Sequence, residues 1–124
     1  MMDMADVVVP RSRIADFVEE VKKIGGKYGV SIVILGHAGD GNVHIHPMRP
    51  DSVIDEKVSK EIMADIYRVG LSMGGTISGE HGVGFAKKGY LPLVMEKSRL
   101  ELMKRIKLAF DPNDILNPGK IIDV

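Results

Sequence analysis

The chain has 124 residues, 44% of them hydrophobic, which suits a single domain, residues 1–124, around one core and is too short for two full ones. Lys and Arg together number 17, and so do Asp and Glu, so there is no net charge to serve as a footprint for nucleic acid or an anionic membrane. There is no cysteine, which excludes a disulfide framework and a thiolate metal site and leaves imidazole and oxygen as ligands for any metal. The apolar runs, such as Val7-Val8-Val9 and Ile32-Val33-Ile34-Leu35, fall far short of the ~20 residues of a membrane span. The opening Met1-Met2-Asp3-Met4-Ala5-Asp6 lacks the basic and apolar regions of a signal peptide. A soluble cytoplasmic protein, or one peripheral to a larger assembly, is the expectation.

Val7-Val8-Val9 reads as a short strand stopped by Pro10, and Ile14, Phe17, Val18, Val21 and Ile24 then follow at helical spacing up to Gly25-Gly26, which should end the helix. Ser31 to Leu35 is β-branched and apolar, and Asn42-Val43-His44-Ile45-His46 alternates with period two, so the pair reads as a β-hairpin. Ser52 with Asp55 marks a helix start, Ile54, Val58, Ile62, Ile66, Val69 and Met73 carry the apolar stripe, and Gly74-Gly75 closes it. Thr76-Ile77-Ser78 is a candidate strand, followed by a glycine-rich turn over Gly79 to Gly84. Ser98 with Glu101 forms a capping box for a last helix carrying Met103, Ile106 and Phe110, which stops before Asp111-Pro112 and leaves a structured tail. The order predicts an α+β fold, a ferredoxin-like antiparallel sheet with helices on one face and a C-terminal helix beyond it.

The histidines cluster: His37, His44 and His46 lie within ten residues, and His81 directly follows Glu80. With Asp40-Gly41 as a two-residue turn, His37 pairs with His44 across the hairpin, Cβ atoms ~4.5–5.5 Å apart, and His46 shares their face. Two imidazoles with one carboxylate make a known metal-ligand set, and Glu80 is the best third member. Pattern alone leaves the other reading open: histidines on the polar face of a hairpin are often exposed or hydrogen-bonded surface residues, and the glycines around them could serve only to shape turns.

Three stretches carry a resemblance. Gly36-His37-Ala38-Gly39-Asp40-Gly41-Asn42-Val43-His44, Ser78-Gly79-Glu80-His81-Gly82-Val83-Gly84 and Phe110-Asp111-Pro112-Asn113-Asp114-Ile115-Leu116-Asn117-Pro118-Gly119-Lys120 resemble, in order and separation, the signatures of the FAD-linked oxidase C-terminal family, which includes glycolate oxidase flavoprotein subunits, D-lactate dehydrogenases and D-2-hydroxyglutarate dehydrogenases. Asp6-Val7-Val8-Val9-Pro10-Arg11-Ser12 resembles the segment preceding them. The resemblance implies that His37, His44 and Glu80 bind a divalent ion such as zinc or manganese, and that His81 is the base that takes the hydroxyl proton of a 2-hydroxy acid while hydride passes to the flavin. It makes Asn42 and His46 the candidates for touching the substrate and places Asn117, with its tail, near the flavin. His46 departs from members that carry Asn, and its role as ligand, substrate contact or support stays open.

The flavin-binding part of such enzymes has no counterpart in these residues, so FAD is expected to be bound weakly or not at all by this chain alone, and a separate FAD-binding domain or subunit is the expected partner. The isolated chain is then expected to be an inactive portion of an FAD-dependent oxidoreductase. The alternative is a stand-alone remnant that binds metal or a partner without redox chemistry. A homo-oligomer is expected, because a piece of a larger substrate domain exposes a sheet edge or apolar surface.

Overall fold

A computed structural model describes residues 4–124, which divide into two compact units, Met1–His81 and Gly82–Val124. In the first unit the elements run β1 (Ala5–Val8), α1 (Ile14–Tyr28), β2 (Ser31–His37), β3 (Asn42–Met48) and α2 (Glu56–Ser72); the second holds α3 (Leu91–Val94) and α4 (Lys97–Phe110). The strands form an antiparallel sheet in the order β1-β3-β2. Thr76 adds a single bridge to Val8 on the far side of β1, which is all that the expected Thr76-Ile77-Ser78 strand amounts to. Strand, helix, hairpin, helix and this vestigial fourth strand reproduce a ferredoxin-like plan with the fourth strand reduced to one contact.

Alternation along the strands decides which face is covered. Ala5, Val7, Val43 and Ile45 point to the helix side, where they are buried with Phe17 and Val21 of α1 and Ile62, Ile66 and Tyr67 of α2. Asp6, Asn42, His44, Leu35 and His37 fall on the other face. On the surface, Asp65 of α2 ties down the end of α1 by accepting from Lys27 Nζ at 2.8 Å and the Tyr28 hydroxyl at 2.9 Å.

Local signals misplace three helix boundaries. Gly25-Gly26 does not stop α1: a side chain at Gly25 would lie 3.0 Å from Ile32, so that glycine serves close packing against β2, and Gly29, at φ 61°, is the left-handed cap. The cap of α2 is Asp55 rather than Ser52, with its carboxylate accepting from Lys57 N at 2.9 Å and Val58 N at 3.3 Å. Ser98 lies inside α4, whose cap position is Glu96, and makes no capping box.

The hairpin turn is also longer than expected. Asp40 N donates to the His37 carbonyl at 2.9 Å, the loop is Ala38 to Gly41, and the register pairs His37 with Asn42 and Leu35 with His44. The cause is a close approach: Gly41 sits at φ 76°, a Cβ there would lie 2.1 Å from the Val9 carbonyl oxygen, and Val9 N donates to Gly41 O at 3.0 Å. The turn is therefore shaped by the chain leaving β1 as well as by its own sequence. His37 and His44 are not directly paired, yet the shift from the expected register is an even number of residues, so both stay on the same face.

In the second unit Asp111, directly after α4, organises the tail. It pairs with Lys107 and accepts from Ile115 N at 3.0 Å and Leu116 N at 2.8 Å. Among the described residues no helix is long and apolar enough to cross a membrane.

Two outcomes are expected from this geometry. Gly41→Ala, strained in φ and clashing with backbone, should destabilise the first unit by about 2 kcal/mol or more, read by urea unfolding through the amide resonances of β1 and β3. The Lys107 ammonium, followed by the Leu116 and Ile115 amides, holds the Asp111 carboxyl below the ordinary carboxylate value, and Asp111, followed by Asp114, holds Lys107 above the ordinary lysine value. The lowered acid contributes stability that is present above the ordinary carboxylate value and lost as pH falls through its own; the raised base contributes stability that is lost only as pH rises through its own. Amide exchange at Ile115 and Leu116 should therefore be slow at neutral pH beyond the intrinsic rate and lose that protection in acid, and Asp111→Asn should remove the acid step.

Candidate functional site

The sheet face away from α1 and α2 carries the cluster. His44 lies on β3, the central strand, and its side chain is 9% exposed; His37 ends β2 and is 58% exposed. Their rings meet edge to face with centroids 5.5 Å apart. Glu80 arrives from the turn after α2 and puts Oε1 3.0 Å from His44 Nε2 and 3.2 Å from His37 Nε2. His81 stacks on His44, rings parallel within 1° and centroids 4.7 Å apart, with its Nε2 3.9 Å from the same Glu80 oxygen. Glu80 and His81 converge on one point with histidines that precede them by 36 to 44 positions in the sequence.

This convergence depends on a residue that sequence reasoning did not single out. Asp6, fully buried on β1 and paired with His44, directs Oδ2 at the turn after α2, where it accepts from Ser78 Oγ at 3.2 Å, Gly79 N at 2.9 Å, Glu80 N at 3.0 Å and His81 N at 2.8 Å. The donors fix the backbone from which Glu80 and His81 project. Its Oδ1 faces His44 Nδ1 at 3.5 Å. The available signal was a carboxylate set inside the apolar run Ala5 to Val9, a place that a charge occupies only with strong partners.

The remaining candidates are Asn42, His46 and Asn117. Asn42 is buried on the same face two positions before His44, and its amide oxygen accepts no hydrogen bond among the described residues. It packs so tightly under the turn that a Cβ on Gly79 would lie 2.7 Å from Asn42 Nδ2. His46, opposite Val33 and half-buried, continues the same face away from the turn. Asn117 belongs to the second unit, in the tail after α4, with a left-handed φ of 54°.

His37, His44 and Glu80 each offer one ligand atom within 4.8 Å of the others, as do Asp6, His44 and His81. A divalent ion about 2.0–2.2 Å from nitrogen and oxygen ligands sets neighbouring ligand atoms about 3.3–3.6 Å apart in a tetrahedral site and about 2.8–3.1 Å apart in an octahedral one. The Glu80 contacts at 3.0 and 3.2 Å lie close to those spacings, so the first set suits such an ion in donor type and in the approach of Glu80 to both imidazoles.

Comparison with known proteins bears on the whole chain. It is 43% identical over 124 residues to the glycolate oxidase subunit GlcD of Bacillus subtilis (strain 168), covering 95% of this chain and 25% of that protein. It is 39% identical over 122 residues to a D-lactate dehydrogenase of Archaeoglobus fulgidus, covering 98% of this chain and 27% of the other, and 37% identical over 121 residues to a D-2-hydroxyglutarate dehydrogenase of Stutzerimonas stutzeri (strain A1501), covering 94% and 26%. The chain thus spans about a quarter of the length of these relatives. The model of the family described as "FAD linked oxidases, C-terminal domain" matches residues 1–121, and the chain belongs to that family.

Proposed function

We propose that this chain is the substrate-side part of an FAD-dependent 2-hydroxy-acid oxidase or dehydrogenase, in which His37, His44 and Glu80 hold a divalent ion and His81 is the base. The observation that carries the reading is the position of Glu80 Oε1, within 3.2 Å of both His37 Nε2 and His44 Nε2 and 3.9 Å from His81 Nε2. An ion at the centre of the three ligands would supply Lewis acidity toward the hydroxyl and carboxylate oxygens of the substrate.

His81 then has a defined task. Its ring lies flat on His44, beside the ligand set rather than in it, so its Nε2 can accept the hydroxyl proton of a substrate held over the ligands. Half-buried His46 extends the same face and is a candidate for touching the rest of the acid, as is Asn42 beneath the turn. FAD belongs to a partner domain or subunit in this reading, and Asn117 and its tail would lie near the flavin in the complete enzyme. The two units work as one functional domain within that larger enzyme. The relatives are named for glycolate, D-lactate and D-2-hydroxyglutarate, all 2-hydroxy acids, which supports this substrate class.

Calorimetric titration of zinc or manganese into the metal-stripped chain should show one ion bound. Because imidazole ligates only when it has given up its proton, binding should weaken in acid. His37→Ala and His44→Ala should each weaken it by about 100-fold or more, beyond what loss of a supporting contact costs, whereas His81→Ala should leave it within a few-fold. Equal titrations for the native chain and His44→Ala would overturn the metal reading in favour of a remnant that keeps the histidines without their role.

Self-association is the second expected outcome. β2 lies at the edge of the sheet, and Val33 and Leu35 on its open face are 41% and 58% exposed. Light scattering should show a mass that rises with concentration, and a strictly monomeric species at high concentration counts against it.

A further inference from the structure

We infer that Asp6 is the positioning residue of this site, fixing a proton on His44 Nδ1 and thereby leaving His44 Nε2 as the ligating atom. The inference deepens the metal reading and rests on it for its consequence, but the proton assignment stands on geometry alone. His44 Nδ1 is buried and faces Asp6 Oδ1 at 3.5 Å. Two lone pairs facing each other would repel, so the arrangement holds when Nδ1 carries hydrogen; the same holds for Nε2, 3.0 Å from Glu80 Oε1, until an ion takes the place of that hydrogen. A metal-bound histidine commonly directs its other N–H at a carboxylate, which fixes the ring and raises the basicity of the ligating nitrogen.

The two oxygens of Asp6 divide the work. Oδ2 is committed to donors from Ser78, Gly79, Glu80 and His81, which bring Glu80 Oε1 to 3.0 Å from His44 Nε2. Oδ1 is left to orient the imidazole. One buried side chain thus sets both the position of the carboxylate ligand and the tautomer of the imidazole ligand.

The division makes Asp6→Asn informative. An amide has one oxygen, and the four donors demand that it occupy the Oδ2 position; its NH2 must then face His44 Nδ1 and turn that atom into an acceptor. Imidazole proton and nitrogen resonances of the full metal-free chain should show a slowly exchanging proton on His44 Nδ1, which Asp6→Asn abolishes, with zinc affinity falling about 10- to 100-fold. Ser78→Ala removes one donor from Oδ2 and leaves Oδ1 in place, so it should keep the Nδ1 proton and most of the affinity.

A native chain without a proton on His44 Nδ1 overturns the inference, and that spectrum decides even if Asp6→Asn does not fold. Retention of the Nδ1 proton in a folded Asp6→Asn chain overturns it as well, as does a loss of affinity in Ser78→Ala equal to that in Asp6→Asn, which would assign the effect to turn position alone. A native chain that shows the proton and loses it in Asp6→Asn while binding no zinc would sustain the role of Asp6 toward His44 and sink the metal reading separately.

Discussion

A carboxylate with no solvent exposure is costly unless it finds strong partners, and at Asp6 one hydroxyl and three backbone amides donate to Oδ2 while Oδ1 faces the imidazole of His44. Charge-assisted bonds of this kind are about twice as strong as neutral ones, and together they hold a stretch of backbone that belongs to no helix or strand. Asp6 is itself placed by the sheet, because β1 pairs with β3 and sets it opposite His44. The arrangement runs outward from there: sheet register places Asp6, Asp6 places the turn, and the turn places Glu80 and His81.

The sheet contributes a division of faces. On one side, valines and isoleucines meet α1 and α2 and form the core; on the other, the same strands present Asp6, Asn42, His44, His46 and His37. Period two keeps these sets apart, so the polar cluster is assembled without interrupting apolar packing. Its two hairpin histidines are unequally held. His44 is in the central strand and nearly enclosed, whereas His37 ends an edge strand and stays largely exposed.

Much of this was legible in the amino-acid sequence, because periodicity is local. The stripe from Ile54 to Met73 marks α2, the alternation from Asn42 to His46 marks β3, and the three motifs point to the family. What stayed hidden depended on residues far away. The turn of the hairpin is shaped by Val9, which nothing near Asp40-Gly41 reveals, and Gly25 answers to Ile32 rather than to the end of a helix. Ser52 and Ser98 are good caps in isolation, yet Asp55 caps α2 and Glu96 takes the cap position of α4. Asp6 was visible only as one letter of a motif, since its partners lie more than seventy residues on. The grouping of His37 with His44 survived a wrong register because only an odd slip would have parted them.

The sequence distance between Asp6 and the turn it holds has a consequence for the order of events in folding. Contacts spanning 72 to 75 residues close a very long loop, and loop-closure entropy delays such contacts until the intervening hairpin and helices can support them. Partly folded forms would then contain α1, the hairpin or α2 before they contain the convergence of Glu80 and His81 on His44. Anything that recognises the assembled cluster would bind the finished fold and no earlier species, and by mass action it would draw the chain toward that fold as it bound.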